Sequence, residues 1–162
     1  MEGLVVYQSR WGSCKKVAEA INRGLEGSGH EVRIVAVGEA GEPDPALDFI
    51  IIGGATKWPG ATGNIKRYAK KVIKAGFNGK PFATFSTGGT VFSEKPNRQA
   101  SEALYGLLEK GGLIALAPPF KAGIKGYKAP GATEQAKGVL PENEETRAED
   151  FGRELGGKLS NR

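Results

Sequence analysis

The amino-acid sequence predicts an α/β domain in which helices cover both faces of a parallel β-sheet. Strand-like and helix-like segments alternate along the chain, which is the pattern of right-handed β-α-β crossovers. Residues 48–54 are almost continuously apolar, as expected of a central strand buried on both faces. Residues 4–21 read as a strand, a short polar loop and a helix. One domain is therefore expected to span residues 1–162.

Each element is predicted from the period of its apolar residues. Residues 4–7 form the first strand, and Val17, Ala18 and Ile21 place a helix after the loop. Residues 31–37 alternate polar and apolar side chains, which fits a strand near a sheet edge. The later elements are a helix at 64–77, a strand at 81–86, a helix at 98–110, a fifth strand at 113–117 and an amphipathic helix at 142–159.

Two stretches fall outside this alternation. Residues 118–140 are rich in proline, glycine and lysine and have no sustained period, so they predict an irregular excursion, with a short extra strand near 122–124 as an option. His30 lies in a turn beside Glu31 and is expected to be an ordinary surface histidine.

The composition excludes several classes of protein. A single cysteine excludes an internal disulfide, and a single histidine argues against a histidine-based metal or catalytic centre. The first residues lack the pattern of a signal peptide, and no apolar run approaches the roughly 18 residues of a membrane span. A cytoplasmic location is therefore expected. The net charge of +5 is spread along the chain without a dense basic block, which disfavours nucleic-acid binding.

Three loops that follow predicted strands are rich in polar residues or glycine. They cover residues 9–14, 55–63 and 86–92. Parallel strands bring their carboxyl ends to one edge of the sheet, so these loops are expected to converge on one crevice. The first loop precedes a helix, whose N-terminal amides and dipole favour an anion such as a phosphate.

The order of these segments resembles the flavodoxins. The resemblance is carried by an S-x-x-G-x-x loop between strand and helix, the strand DFIIIGG, an aromatic-bearing loop and the stretch FSTGGTVF. It covers nearly the whole chain. It implies a flavodoxin-like three-layer sandwich with five parallel strands in the order 2-1-3-4-5, and FMN bound noncovalently at the switch point of the sheet.

By this resemblance, the first loop holds the FMN phosphate. Its residues are Ser9, Arg10, Trp11, Gly12, Ser13 and Cys14. Trp11 and Cys14 replace two threonines of the family pattern S/T-x-T-G-x-T. The loss of two hydroxyl groups weakens phosphate binding by about 1–3 kcal/mol, unless the positive charge of Arg10, Lys15 or Lys16 compensates.

Two residues of the first loop allow alternative roles. Trp11 is better interpreted as a lid packed over the loop than as a partner of the flavin ring. Cys14 lies at a helix N-terminus near cations, where a thiol pKa can be lowered. Replacement of a phosphate-binding hydroxyl is the preferred role for Cys14.

The second loop is expected to contact the flavin ring and N5. Its site residues are Ala55, Thr56, Lys57, Trp58, Pro59 and Gly60. Trp58 falls where the family places an aromatic ring against the isoalloxazine, and stacking there is preferred to burial beneath the loop. Pro59-Gly60 is the preferred composition of a type II turn, since glycine accepts a positive φ. The Pro59 carbonyl is then expected to accept a hydrogen bond from the N5–H of the reduced flavin.

The third loop is expected to contact the other parts of the flavin. Its site residues are Ser86, Thr87, Gly88, Gly89 and Phe92. Residues 87–90 are predicted to be a flexible loop whose backbone amides contact the pyrimidine edge of the ring. Phe92 either covers the second ring face or packs in the core.

The charges near the site differ from those of acidic flavodoxins. Lys57, Lys95 and Arg98 surround the predicted site. They imply a low-potential couple that is less strongly reducing, since positive charge favours an anionic reduced flavin. They also imply a redox partner with an acidic surface.

The resulting hypothesis is an electron carrier that acts on redox proteins as a monomer or weak dimer. The flavin supplies the redox chemistry, so no acid-base pair or nucleophile is required. Two alternatives stay open. One is an FMN-dependent reductase of a quinone, a porphyrinogen or a similar small molecule, and the other is a flavin-free interaction protein on the same fold.

Overall fold

A computed structural model describes residues 1–9, 12–56, 61–89, 99–124 and 139–162 of the chain. These residues form six strands, four α-helices and a short 3-10 turn. In chain order the elements are β1 (Glu2–Gln8), α1 (Ser13–Gly27), β2 (Glu31–Ala36), the 3-10 turn (Val37–Glu39), β3 (Phe49–Ala55), α2 (Gly63–Lys74), β4 (Pro81–Gly89), α3 (Ala100–Lys110), β5 (Ile114–Ala115), β6 (Phe120–Ile124) and α4 (Glu142–Ser160). None of the described helices has the length and apolar character needed to cross a bilayer.

The strands form one parallel sheet in the order β2-β1-β3-β4-β5, which confirms the predicted fold class and strand order. β3 is the central strand, and Phe49 to Gly54 are all buried, as its apolar sequence predicted. β2 lies at an edge, where its residues are exposed or half-buried. The register aligns Gln8 with Gly54 and Gly54 with Ser86, so β1, β3 and β4 reach the carboxyl edge together.

The fifth position of the sheet is built from two short strands. β5 pairs with Pro81 and Phe82 of β4, and β6 pairs with residues 85–89 of the same strand. The continuous strand predicted at 113–117 is therefore wrong in length, whereas β6 confirms the extra strand that was an option near 122–124, although it begins at Phe120. Pro118 and Pro119 separate the two pieces, since proline has no N–H to donate to a β-ladder.

Each face of the sheet carries its own hydrophobic core. α1 and α4 cover one face, where Val17, Ile21 and Leu25 of α1 are fully buried. α2 and α3 cover the other face with Ile65, Val72 and several leucines. Both helical patterns follow the i, i+4 spacing that the sequence predicted.

His30 is buried, so the prediction of a surface histidine was wrong. Its residue exposure is only 7%, and its Nε2 lies 2.9 Å from the carbonyl oxygen of Gly156 in α4. The imidazole also meets the ring of Phe49 edge-on, with 5.9 Å between the centroids. α4 covers the histidine from a position 126 residues away in sequence, which no local pattern could reveal.

Candidate functional site

The three predicted site segments meet at the carboxyl edge of the sheet. Ser9 follows β1, Thr56 follows β3, and Gly89 ends β4. Neighbouring strands are about 4.8 Å apart, so the ends of these three adjacent strands fall within roughly 10 Å. The structure therefore brings the described parts of the three segments to one edge of the sheet, as predicted. Residues 10–11, 57–60 and 90–98 lie outside the described residues.

The first loop presents an anion-favouring helix terminus. Ser9 Oγ accepts hydrogen bonds from the backbone amides of Gly12 at 3.0 Å and Lys15 at 3.4 Å. Gly12 has a φ of +93°, a conformation that glycine adopts without penalty, and it directly precedes α1. The first turn of α1 contains no acidic residue, and Lys15 and Lys16 are exposed there. Helix dipole, amides and ammonium groups all favour an anion at this point.

Cys14 is part of the core. Its side chain is only 1% exposed, and its thiol shares a hydrogen bond with the side chain of Thr87 on β4. Burial raises the pKa of the Cys14 thiol, and the hydrogen bond to Thr87 offsets this only in part. A lowered thiol pKa is therefore wrong for this residue. Its side chain joins α1 to β4, which leaves its backbone amide as the group available to an anion. Ser13 begins α1 beside it and is half-buried.

The second loop begins with a residue that joins β3 to two other elements. Ala55 is the last residue of β3, and the N–H of Thr56 donates to the carbonyl oxygen of Thr87 at 2.8 Å. Thr56 Oγ1 accepts a hydrogen bond from the backbone amide of Ala100, at 3.2 Å. Thr56 is thus held between β4 and the start of α3.

Four further residues of the second loop keep only their sequence-based predictions. Lys57, Trp58, Pro59 and Gly60 lie outside the described residues, as do Arg10 and Trp11 of the first loop and Phe92 of the third. The stacking of Trp58 and the N5 hydrogen bond to Pro59 stay predictions.

β4 is longer than predicted. It runs to Gly89, so residues 87–89 form a strand and not the flexible loop that was predicted. β6 supplies the reason, since Thr87, Gly88 and Gly89 pair with residues 122–124. The register with β3 ends at Ala55 opposite Thr87, so Gly88 and Gly89 extend past β3 at the carboxyl edge of the sheet.

A buried polar network fixes this part of β4 against α3. Ser86 Oγ donates to Gln99 Oε1 at 2.9 Å and shares a hydrogen bond with Ser101 Oγ at 2.7 Å. Thr84 Oγ1 donates to the Ser101 carbonyl oxygen at 2.8 Å. Ser86 is fully buried, so its side chain positions the backbone of β4 at the site.

Two glutamines near the site were missed by sequence reasoning. Gln99 caps α3 and exchanges hydrogen bonds with Glu102 in a capping box. Gln8 ends β1, and its Oε1 is buried without a hydrogen-bond partner within the described residues, beside Gly54. The sequence feature that could have identified Gln8 as a site residue is its position, since it is a polar residue at the end of an apolar strand and directly precedes Ser9.

Comparisons with known proteins agree with this geometry. The family model for the flavodoxin domain matches residues 4–115. A search of curated proteins found no significant match.

Solved flavodoxin structures superpose on almost the full chain at low identity. A flavodoxin from the domain Archaea has a TM-score of 0.78 at 16% identity, with 99% of each chain covered. Flavodoxin from Streptococcus pneumoniae TIGR4 gives 0.77 at 17%, covering 98% of this chain and 99% of its own. Flavodoxin 1 from Bacillus cereus has a TM-score of 0.72 at 15% identity, with 96% of this chain and 97% of its own chain covered. At these identities the superpositions establish the fold. Since the family model matches most of the chain, the chain belongs to the flavodoxin domain family.

Proposed function

We propose that this protein binds FMN noncovalently and carries electrons between redox proteins. The observation that carries the proposal is the convergence of Ser9, Thr56 and Gly89 at one edge of the sheet, next to the N-terminus of α1. Family membership supports the same cofactor. A cytoplasmic location and a monomeric or weakly dimeric state remain predictions.

The described residues fit the phosphate end of FMN. A phosphate at the α1 N-terminus would meet the hydroxyl proton of Ser9, whose oxygen is held by the amides of Gly12 and Lys15, together with the Cys14 amide and the charges of Lys15 and Lys16. These groups supply several donors and positive charge at a site without a carboxylate in the first helical turn. They compensate in part for the hydroxyl groups that Trp11 and Cys14 do not provide.

The end of β4 fits the ring end of FMN. Gly88 and Gly89 extend past β3, so a flat ligand at this edge would meet backbone groups that lie beyond the last paired residue of β3. The network of Ser86, Gln99 and Ser101 holds this backbone rigidly. Bound FMN would supply one- and two-electron transfer, while the chain orients the ring and sets its electrostatic surroundings. Trp58 and Phe92 are the proposed ring contacts.

Reconstitution with two flavins tests this proposal. We expect FMN to bind with its fluorescence quenched, and riboflavin, which lacks the phosphate, to bind at least about 100-fold more weakly. Ser9→Ala should reduce this ratio, whereas Ser160→Ala at the far end of α4 should not. Similar affinity for both flavins would contradict the assignment of the α1 N-terminus to phosphate.

Activity measurements separate the alternatives. A carrier exchanges electrons with a reductase and with protein acceptors and shows little turnover of small molecules. Steady-state turnover with a nicotinamide donor and a quinone would favour the reductase. A protein without flavin absorbance after incubation with excess FMN would reject both redox functions and leave the interaction protein.

A further inference from the structure

The exposed side of α2 carries a concentrated positive charge. Its members are all exposed lysines or arginines and form what we call the basic face of α2: Lys66, Arg67, Lys70, Lys71 and Lys74. The helix contains no aspartate or glutamate. In the sequence they occur as two adjacent pairs and one single lysine, with apolar or aromatic residues between them.

Helical geometry gathers these cations on one side. At 100° per residue the five positions fall within an arc of about 140° and extend over roughly 12 Å of the helix axis. Ile65, Tyr68, Ala69 and Val72 occupy the opposite arc and are buried against the sheet and α3. The basic face is therefore directed to solvent along its whole length.

Little of this charge is neutralised by the protein itself. Within the described residues, Lys71 is the one member of the face that pairs with a carboxylate, at 3.0 Å from Glu42. The spacing also places three like-charged pairs at i, i+4 along the helix, an arrangement that destabilises helices.

The last helix, α4, pairs its cations with carboxylates. In α4, Lys158 pairs with Glu154 at i, i+4, and Arg153 pairs with Glu149 at the same spacing. The basic face of α2 is thus not a general property of the exposed helices in this protein. An unneutralised, self-repelling face is expected where a surface meets an opposite charge.

The basic face begins beside the candidate flavin site. α2 starts at Gly63, directly after the second loop, so its first turn lies at the carboxyl edge of the sheet. Lys66 and Arg67 are in that first part of the helix, and Lys74 is at its far end. A partner lying along the helix would also cover the adjoining carboxyl edge of the sheet.

We propose that the basic face of α2 docks an acidic electron-transfer protein and places its redox centre at the candidate flavin site. The proposal rests on the proposed function for its redox role, while the docking surface rests on the charges of α2. Complementary charge raises the rate of encounter and fixes the orientation of the partner.

Charge reversal at Lys70 tests the surface, with an acidic [2Fe–2S] ferredoxin as the probe. Lys70→Glu places a carboxylate at i, i+4 from both Lys66 and Lys74, so we expect an unchanged or raised thermal midpoint. At low salt, the affinity of Lys70→Glu for ferredoxin should be at least about fivefold lower than that of the wild type. Near 0.5 M salt, the binding of ferredoxin should disappear for both the wild type and Lys70→Glu. Arg162→Glu is the matched control, since it changes the net charge equally at the end of the chain beyond α4.

Each outcome decides the proposal. Weaker ferredoxin binding by Lys70→Glu, but not by Arg162→Glu, supports the proposal. If Lys70 acted through helix stability instead, its substitution would lower the thermal midpoint. Equal weakening by both variants, absence of ferredoxin binding, or equally tight binding of duplex DNA would overturn it. Binding is measured with and without FMN, so failure of flavin binding overturns the proposed function without changing the result for the surface.

Discussion

Thr56 Oγ1 accepts a hydrogen bond from the backbone amide of Ala100 at 3.2 Å, across 44 residues of sequence. Ala100 is the first residue of α3 and is fully buried, so its amide depends on a partner from outside the helix. The same threonine donates its own amide to Thr87. One residue of the second loop therefore ties β3, β4 and α3 together at the candidate site.

Thr56→Val should destabilise the protein and weaken flavin binding. The substitution keeps the shape but leaves the Ala100 amide unpaired, which costs about 1–2 kcal/mol of unfolding free energy. FMN affinity should fall as well, because the second loop loses its anchor. Urea unfolding and flavin fluorescence titration measure the two effects. Thr56→Ser retains the hydroxyl and serves as the control, so equal losses in both variants would argue against the hydrogen bond.

Gly152 in α4 should not tolerate alanine. A Cβ at Gly152 would lie 3.1 Å from the Cα of Gly24 in α1, and it would collide with the backbone carbonyl of Ile21. We expect Gly152→Ala to lower the unfolding free energy by about 1–3 kcal/mol, because the two helix backbones must separate.

Gly157 provides a matched control in the same helix. A Cβ there meets nothing within 4 Å, so Gly157→Ala should stabilise the protein by about 0.5–1 kcal/mol through helix propensity. Denaturant unfolding of both variants gives the comparison. A similar change of stability in the two variants would mean that close contact between α1 and α4 is not the cause.

Local periodicity explains what the sequence could predict. Runs such as 48–54 and the spacing of Val17 and Ile21 identified the strands and the helices, because these patterns lie within single elements, whereas the strand order came from the resemblance to flavodoxins. Because β1, β3 and β4 pair side by side, the three predicted segments that follow them lie at the same edge of the sheet.

The missed features depend on contacts between distant segments. His30 is buried by α4. The backbone of α1 at Gly24 approaches α4 closely because Gly152 has no side chain. β4 continues to Gly89 because β6 pairs with it. The break at Pro118 and a strand near 122–124 were readable from the sequence, but the pairing of that strand with β4 was not.

Cys14 should make stability depend on alkaline pH. Burial raises the pKa of its thiol, so the folded protein keeps a proton that the unfolded chain releases above about pH 8.5. The contribution of the buried thiol to stability is complete below that pH and is lost as the pH rises. The unfolding free energy then falls by up to about 1.4 kcal/mol per pH unit. Unfolding free energies between about pH 8 and 10 should fall more steeply for the wild type than for Cys14→Ala. Parallel pH profiles would show that the native thiol ionises normally.

Gly60→Ala tests the hypothesis about the Pro59 carbonyl. A type II turn at Pro59-Gly60 requires a positive φ at its third position, and a side chain there costs about 1–2 kcal/mol. If the carbonyl accepts a hydrogen bond from N5–H only in the reduced flavin, this cost falls on the one-electron reduced form. We expect the midpoint potential of the first electron to shift by roughly 40–90 mV to more negative values, which is the same energy expressed for a single electron. Potentiometric titration of the FMN-bound protein measures both steps. Gly79→Ala is the control for general strain, since Gly79 has a φ of +83° and lies between α2 and β4. Unchanged midpoint potentials for both electron steps in Gly60→Ala would contradict the hypothesis.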